Sequence, residues 1–325
     1  PVAHLQVEAG AVGVTAAKLG EAEVMADAGI RDIFVAHVII GEPKLRRLRA
    51  LARRCRMAVG VDGEEQAEIL SRTFAAEPEP LDVMVEVDTG LGRQGRPPGG
   101  PAVELARTVA GLPGIRLRGI FTHEGHDYGA PSLEAVAEAA RKAQADMVET
   151  AEAVRRATDL PCEVSVGSTP SLYSALLGGG YLPGIDEVRA GTYIFCDASM
   201  AGILGHADWC AASVLATVVS RPAPDRVVVD AGAKALSIDR RPEGTLLHTE
   251  GFGIVRGHPE AVITSLSDEH GVIRVPASSG IRLGDKLWIV PTHICPTVNL
   301  YDDAFAGRNG CVEAVWPVAA RGRTR

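Results

Sequence analysis

Short apolar runs alternate with amphipathic stretches along the first two-thirds of the chain. The apolar runs predict β-strands, and the stretches between them, where apolar residues recur every three or four positions, predict helices. Because strands and helices alternate, we expect right-handed crossovers and a parallel sheet. The predicted strands are residues 13–17, 32–37, 57–62, 82–88, 117–123, 163–168 and 187–195, and the predicted helices are residues 20–28, 44–55, 64–73, 102–110, 133–158 and 171–177.

The number of strands points to a barrel. Seven predicted strands are one fewer than a closed (β/α)8 barrel contains. Residues 2–9 resemble the end of a helix, so we expect residues 1–206 to form a barrel whose first strand is missing from the chain. The alternative is a doubly wound open sheet, which places a glycine-rich phosphate-binding turn after an early strand. No such turn follows residues 13–17 or 32–37, and the barrel is therefore favoured.

From about residue 207 the pattern changes to short strands separated by glycine and proline. Such punctuation is typical of turns between antiparallel strands. Residues 207–325 are therefore predicted to form a mostly antiparallel β-domain. Its predicted strands are residues 212–220, 226–230, 253–256, 261–265, 272–275 and 286–290.

Composition narrows the class of function. The 325 residues are 46% hydrophobic and 23% charged, which is typical of a soluble globular protein. A net charge of −8 and the lack of a basic stripe argue against a nucleic-acid partner. No apolar run approaches the roughly 20 residues that cross a bilayer, and the first ten residues do not resemble a signal peptide. Six cysteines without C-x-x-C pairs indicate reduced thiols and a cytoplasmic protein.

Polar residues follow several predicted strands, at the end where barrels bind their ligands. Two small polar clusters on late strands can offer backbone N–H and hydroxyl groups to a phosphate. The alternative for these clusters is that they only cap the helices that follow. The candidates are Arg93, His123 beside Glu124 and His126, the cluster of Ser168 and Thr169, and the cluster of Gly191, Thr192 and Tyr193.

His293 and Cys295 alternate along one segment, so on an extended strand both side chains would point to the same face. An imidazole and a thiolate together suit zinc, with manganese less natural because sulfur is a soft ligand. Two protein ligands leave positions open for water or substrate, as a catalytic metal requires. Asn299 and Asp302 are candidates for supporting hydrogen bonds. A chance histidine beside a buried cysteine is the alternative.

Six stretches together resemble the D-threonine aldolase / D-serine dehydratase family, which shares the fold-type III architecture of alanine racemase. The resemblance implies a pyridoxal phosphate (PLP)-binding (β/α)8 barrel followed by a β-domain, and a homodimer. The stretches are residues 8–23, 88–95, 122–126, 230–237, 267–271 and 291–302.

The resemblance also implies roles for single residues. Arg93 is similar to the arginine that contacts the PLP phenolic oxygen, and His123 to the residue that packs on the pyridine ring. Arg189 is placed like the arginine beside the pyridine nitrogen. The implied phosphate-binding residues are Ser168, Thr169, Gly191, Thr192 and Tyr193, and the implied metal ligands are His293 and Cys295.

In this family the lysine that forms the Schiff base with PLP ends the first barrel strand. We expect that lysine to lie upstream of Pro1, with Lys18 as a conceivable replacement. The chain is then expected to be an N-terminally truncated lyase for β-hydroxy-D-amino acids. Retro-aldol cleavage to glycine and an aldehyde is favoured over elimination to a keto acid and ammonia. An inactive PLP-binding fragment and a phosphate-sugar barrel enzyme without PLP are the rivals.

Overall fold

The computed structural model describes residues 1–324, and the predicted strands of the first domain are confirmed there. The strands are β1 (Val14–Ala16), β2 (Asp32–Val35), β3 (Arg56–Val61), β4 (Leu81–Glu86), β5 (Ile115–Phe121), β6 (Glu163–Val166) and β7 (Glu187–Val188). They pair in chain order, and every pairing is parallel. In a doubly wound fold the strand order reverses within the sheet. The order here follows the chain throughout, so the doubly wound alternative is wrong.

Helices connect these strands. They are α1 (Val2–Glu8), α2 (Leu19–Asp27), α3 (Glu42–Ala52), α4 (Glu64–Phe74), α5 (Gly100–Gly111), α6 (Leu133–Thr158), α7 (Thr169–Gly178) and α8 (Ala198–Leu204), with 3-10 helices η1 (Gly125–Gly129) and η2 (Thr192–Ile194). The six predicted helices correspond to α2 to α7. The helix α6 begins where the Ser132 hydroxyl accepts a hydrogen bond from the N–H of Ala135, and it ends where Asp159 adopts a left-handed conformation. None of the helices in residues 1–324 is both long and apolar enough to cross a membrane.

The sheet curls and is buried on both faces, which explains its continuous apolar runs. All six positions of β4 are buried. The outer face packs against the helices, through residues such as Ile33 and Val85. The inner face carries a separate cluster of Phe34, Ala58, Met84 and Phe121. Within the described residues β1 and β7 form the two edges and do not pair with each other, so this curled sheet is an incomplete barrel.

The second part of the chain forms an antiparallel β-structure, as predicted, and its strands close into a barrel, which was not predicted. Its strands are β8 (Val214–Ala223), β9 (Arg226–Val229), β10 (Gly253–Val255), β11 (Val262–Leu266), β12 (Gly271–Arg274) and β13 (Lys286–Pro291), with the short helix α9 (Ala233–Leu236) after β9. The barrel order is β10-β11-β12-β9-β8-β13, closed by the pairing of β10 with β13. The predicted boundary between residues 206 and 207 falls between α8 and β8 and stays a prediction.

Several elements differ from the sequence analysis, and η1, α8 and α9 were not predicted. The last strand of the first sheet, predicted as residues 187–195, is only β7, because residues 192–194 turn into η2. The extended geometry predicted for His293 and Cys295 is wrong: β13 ends at Pro291, and a short helix α10 (Ile294–Val298) follows. A hairpin of β14 (Asp303–Arg308) and β15 (Cys311–Pro317) was not predicted.

Gly119 allows β5 and β6 to approach closely after a register shift in β5. A Cβ atom at this position would overlap the backbone of Glu163, which cannot move without breaking the sheet. We expect Gly119→Ala to lower the free energy of unfolding by about 2–3 kcal/mol through overpacking. Urea unfolding followed by far-ultraviolet circular dichroism measures this loss. Gly111→Ala, at the end of α5 with open space around its Cβ position, is the matched control and should be neutral or stabilising. Equal effects of the two substitutions would contradict this account.

Candidate active site

The carboxyl ends of β4 to β7 gather most of the candidate residues. His123 follows β5, and its ring is fixed by a hydrogen bond between Nδ1 and the carbonyl oxygen of Gly167, 2.8 Å away. Gly125 leaves room for this ring, because a Cβ there would lie 2.9 Å from Nε2 of His123. Burial, with the nearby positive charge of Arg93, lowers the pKa of His123. The neutral form of the ring is therefore favoured at neutral pH.

Arg189 extends into the interior of the curled sheet. Its side chain is 7% exposed, and its guanidinium lies 5.5 Å and 5.2 Å from the ring centres of Phe34 and Phe121. Nε donates to the Ser165 hydroxyl at 2.6 Å, and a terminal nitrogen donates to the Thr122 carbonyl at 2.5 Å. These bonds hold a cation among aromatic rings at the carboxyl ends of the strands. Its role beside a pyridine nitrogen stays a prediction.

The two small polar clusters form internal hydrogen bonds. The Ser168 hydroxyl caps α7 by accepting from the Ser171 N–H at 3.0 Å, and it donates to the carboxylate of Asp127. The Thr169 hydroxyl accepts from the N–H of Tyr193 at 3.2 Å. The capping interpretation therefore describes the hydroxyls of Ser168 and Thr169. A phosphate at this place would depend on backbone N–H groups and on the second cluster.

The second cluster lies beside open space. Gly191 is exposed, and a Cβ at this position would meet nothing within 4 Å. Thr192 and Tyr193 belong to η2, and the Thr192 hydroxyl is a hydrogen-bond partner of Tyr128, whose pKa burial raises to about 12. The tight turn at Gly191 and the adjacent α7 N-terminus leave room for a phosphate group. Phosphate binding by Gly191, Thr192 and Tyr193 stays a prediction.

Arg93 lies at the rim, with 56% of its side chain exposed. Its nearest carboxylate is Glu86, 3.9 Å away, which is buried. Burial raises the pKa of Glu86 to about 7, and the charge of Arg93 opposes that rise. The exposed guanidinium leaves Arg93 able to contact a ligand at the sheet's carboxyl edge. Contact with the PLP phenolic oxygen stays a prediction.

Two buried carboxyl groups beneath this edge were not predicted as a pair. Glu124 and Asp127 are both fully buried. Burial and the neighbouring Asp127 raise the pKa of Glu124 to about 8, and burial raises that of Asp127 to about 7. One oxygen of each carboxyl group has no hydrogen-bond partner in the described residues. In the sequence analysis Glu124 appeared only as a neighbour of His123, and no sequence feature indicated that Asp127 would be buried.

The segment that leaves β13 carries His293 and Cys295. Nδ1 of His293 lies 2.5 Å from Oδ2 of Asp239. The Cys295 thiol is a second hydrogen-bond partner of the ring and is exposed to solvent. Burial of the ring opposes its protonation, but the bonds with Cys295 and Asp239 outweigh burial and raise the pKa of His293. The structure therefore brings His293 and Cys295 together, although on a helical turn and not on a strand.

The partner of His293 was missed by the sequence analysis. Asn299 accepts a hydrogen bond from the Gly322 N–H at 2.8 Å, and Asp302 pairs with Arg321, so neither supports the histidine. Asp239 takes that place, from the loop after α9. Asp239 lies two residues after the stretch 230–237, which carries part of the family resemblance. This proximity is the one indication in the sequence that Asp239 belongs to the site. In residues 1–324 no group of three or more His, Cys, Asp or Glu side chains is arranged around a common metal position.

A buried carboxylate joins this segment to the first part of the chain. Asp197 caps α8 by accepting from the Met200 N–H at 3.0 Å, and its other oxygen accepts from the Ile294 N–H at 3.0 Å. Beside it, the Ser199 hydroxyl donates to the Thr292 carbonyl at 2.8 Å. The backbone on both sides of His293 is therefore held against α8.

The loop between α9 and β10 connects the two groups of candidate residues. The guanidinium of Arg241 lies 4.6 Å from the ring centre of Tyr128 in η1, and that ring lies 6.5 Å from the ring of His123. The charge of Arg241 also acts on His293. Arg241 therefore lies between the sheet's carboxyl edge and the His293 segment.

This arrangement, a curled parallel sheet followed by an antiparallel barrel that approaches its carboxyl edge, defines an alanine racemase-like enzyme. The family profile for the alanine racemase N-terminal domain matches residues 1–199, and that for the serine dehydratase domain matches residues 211–306. The chain belongs to the D-threonine aldolase / D-serine dehydratase family of PLP-dependent lyases.

Individual relatives support this assignment along the whole chain. The D-threonine aldolase of Arthrobacter sp. is 33% identical, over 100% of this chain and 83% of the relative. The D-threo-3-hydroxyaspartate dehydratase of Delftia sp. is 36% identical, over 91% of this chain and 81% of the relative. The crystal structure of the D-threonine aldolase from Filomicrobium marinum superimposes with a TM-score of 0.87 at 35% identity, over 98% of this chain and 85% of that structure.

The buried acid Glu124 gives the free energy of unfolding a pH dependence. Its pKa is raised from 4.5 to about 8 in the folded protein, so its neutral form is favoured by folding. This stabilisation is complete below pH 4.5 and is lost as the pH rises through about 8. We expect Glu124→Gln to flatten that decline and to be more stable than the wild type at pH 8 by an amount on the order of a few kcal/mol. Urea unfolding at a series of pH values measures the decline. Glu138→Gln, an exposed position on α6, should leave it unchanged; a wild-type stability that rises over this pH range would refute the account.

Proposed function

We propose that the protein is a PLP- and divalent-metal-dependent lyase that cleaves β-hydroxy-D-amino acids by a retro-aldol reaction into glycine and an aldehyde. The observation that carries the metal part is the contact of Asp239 with His293, beside Cys295. A carboxylate that accepts from Nδ1 fixes the histidine tautomer and leaves Nε2 free as a ligand. The nitrogen and sulfur donors suit zinc better than manganese.

The residues at the sheet's carboxyl edge fit PLP. The neutral ring of His123 offers a flat surface, the buried Arg189 offers a positive charge, and Gly191 leaves space that a side chain would fill. We propose that His123 packs on the pyridine ring and that Arg189 lies near its nitrogen. Arg93 would contact the phenolic oxygen, and Gly191, Thr192 and Tyr193, with backbone N–H groups near Ser168 and Thr169, would hold the phosphate. PLP, when bound, allows the α-carbon of the substrate to carry negative charge.

The metal would be held by His293 and Cys295 and would lower the pKa of a coordinated hydroxyl group. The chain orients this site by two means. Asp239 aligns the His293 ring, and Asp197 fixes the backbone N–H of Ile294 between the two ligands. The exposed side of Cys295 leaves room for the β-hydroxyl group of a substrate. In this proposal the β-hydroxyl group and the α-carbon of the substrate would be held by different parts of the chain.

Elimination to a keto acid and ammonia is the second candidate. It is favoured by the thiol ligand Cys295, because sulfur suits a zinc-dependent dehydratase, and by the similarity to the Delftia dehydratase. The two candidates give different products. Release of an aldehyde and glycine from D-threonine supports the aldolase, and formation of pyruvate from D-serine supports the dehydratase. No aldehyde, glycine or keto acid from D-threonine, D-serine or D-threo-3-hydroxyaspartate with the PLP-loaded, metal-loaded protein would reject both. A homodimer and a cytoplasmic location remain proposals that follow from the family and from the six free thiols of the described residues.

The metal ligands can be tested directly by metal binding. We expect His293→Ala and Cys295→Ala to abolish stoichiometric zinc binding, because each removes one of the two protein ligands. Mass spectrometric metal analysis of the dialysed proteins measures this, and lyase activity should fall in parallel. His258→Ala and Cys311→Ala replace the same residue types away from the site and serve as controls. Full zinc occupancy in both site variants would reject the assignment.

Replacing Asp239 tests the hydrogen bond that supports the predicted ligand His293, and not the ligand itself. Loss of a carboxylate that orients a metal-bound histidine costs about 10- to 100-fold in metal affinity, so we expect that decrease for Asp239→Asn. Competition with a fluorescent zinc chelator measures the affinity. Asp208→Asn is the matched control, because Asp208 lies 3.6 Å from His206 in a surface pair away from the site. An unchanged zinc affinity in Asp239→Asn would show that the 2.5 Å contact does not support a metal ligand.

A further inference from the structure

Arg241 is a cation without a partner at the candidate active site. Within residues 1–324 its guanidinium makes no hydrogen bond and no ion pair, and its Nε is buried without an acceptor. A guanidinium carries five N–H donors in a fixed plane, and it is usually paired when it is removed from water. The guanidinium lies over the ring of Tyr128, 4.6 Å from the ring centre. The donors of Arg241 are therefore available to a ligand.

The carboxylates near Arg241 are engaged elsewhere. Arg241 is close enough to act electrostatically on Asp127 and Asp197. However, Asp127 accepts from the Ser168 hydroxyl, and Asp197 accepts from two backbone N–H groups. Asp239, two residues earlier in the same loop, bonds to His293. Within residues 1–324 the cation thus has acidic groups near it but forms an ion pair with none of them.

The loop that carries Arg241 is held by one bond within itself and by one bond to the first part of the chain. The Arg241 carbonyl oxygen lies 3.1 Å from Nδ1 of His248, and the Leu246 N–H donates to the Ala130 carbonyl at 2.8 Å. Tyr128, under the guanidinium, is a hydrogen-bond partner of Thr192 in the predicted phosphate cluster. Arg241 therefore lies between the predicted cofactor pocket and the predicted metal ligand His293.

Further positive charge lies around the same edge of the sheet. Lys18, Lys44 and Arg93 are all close enough to His37, after β2, to oppose protonation of its ring. The whole chain has a net charge of −8, so this concentration of cations is local. A positive field at the mouth of a site raises the local concentration of anions and favours an anionic substrate over a neutral one.

We propose that Arg241 determines specificity by binding a carboxylate in the side chain of the substrate, so that the protein acts on β-hydroxy-D-amino acids that are dicarboxylic. 3-Hydroxy-D-aspartate is the simplest member of this class, and D-threonine is the neutral counterpart with a methyl group at the same carbon. The inference rests on the proposed lyase function. It adds a residue and a substrate class that the metal and cofactor ligands do not specify.

Arg240 provides a matched control. It lies next to Arg241 in the same loop, but it is exposed and its guanidinium faces the ring of Phe252 at 5.0 Å. Replacing either arginine by glutamine removes the same charge from the same loop. Only the Arg241 side chain contacts η1 and the candidate site.

The test compares kcat/KM for D-threo-3-hydroxyaspartate and D-threonine in the PLP- and metal-loaded wild type, Arg241→Gln and Arg240→Gln. We expect the wild type to prefer 3-hydroxyaspartate. Arg241→Gln should lower kcat/KM for 3-hydroxyaspartate by about 10- to 100-fold, as for loss of a charged hydrogen bond, and change that for D-threonine less than about 3-fold. Arg240→Gln should leave the ratio of the two values unchanged. Equal losses on both substrates in Arg241→Gln would overturn the proposal, because they would place Arg241 at the α-carboxylate. A wild-type preference for D-threonine, or an unchanged ratio in Arg241→Gln, would also overturn it.

A binding measurement separates this inference from the proposed function. If the wild type cleaves neither substrate, the lyase proposal fails, and binding of D-aspartate and D-alanine by calorimetry decides the role of Arg241. At least about 10-fold tighter binding of D-aspartate, lost in Arg241→Gln and kept in Arg240→Gln, supports the inference. Equal binding of the two amino acids by the wild type, or a preference that survives in Arg241→Gln, overturns it. Thermal unfolding of each variant shows whether the Tyr128 contact is needed for stability alone.

Discussion

The candidate active site depends on the bonds that one buried carboxylate makes. Asp197 caps helix α8, the last element of the first part of the chain, and also accepts from the backbone N–H of Ile294, between His293 and Cys295. Burial raises the pKa of this carboxyl group, and its two backbone hydrogen bonds oppose the rise. A buried N–H left without its acceptor costs about 1–3 kcal/mol, so the segment is held firmly in place. The β-domain supplies the histidine and cysteine, but α8 determines where they lie.

Much of the fold could be predicted because its causes are local. A strand buried on both faces, such as β4, must be apolar throughout, and that run is visible in the sequence. The sequence pattern gave a wrong prediction after β13, where the alternation of His293 and Cys295 predicted an extended strand. The structure forms a single helical turn there, held by the Thr297 hydroxyl, which donates to the His293 carbonyl at 3.0 Å. A turn this short carries no periodicity that a sequence pattern could detect.

The parts of the site that could not be predicted are contacts between distant segments. Asp239 reaches His293, and Arg241 reaches Tyr128, from a loop without regular structure. Nothing in the spacing of these residues indicates that they meet, since loop conformation is set by tertiary packing. Arg189 was indicated only by resemblance to a family, and His123 also by its position after a predicted strand. The chemical environment of neither residue was predicted. The buried Glu124 and Asp127 show the same limit, because burial of a polar residue after a strand depends on what later covers it.

The charged groups at the site are of two kinds, buried acids below the carboxyl edge of the sheet and cations above it. Below the sheet's carboxyl edge, burial raises the pKa of Glu124 and Asp127, so these groups carry less negative charge than two ionised carboxylates would. Above it, Arg93 is exposed and Arg241 is unpaired within the described residues. Fully ionised acids beneath the edge would neutralise those cations and weaken any attraction for an anion. Burial of the two acids thus preserves a positive site in a protein of net negative charge. The cost is a free energy of unfolding that declines with rising pH. One side-chain hydrogen bond to each acid, from Ser168 to Asp127 and from Ser171 to Glu124, limits that cost.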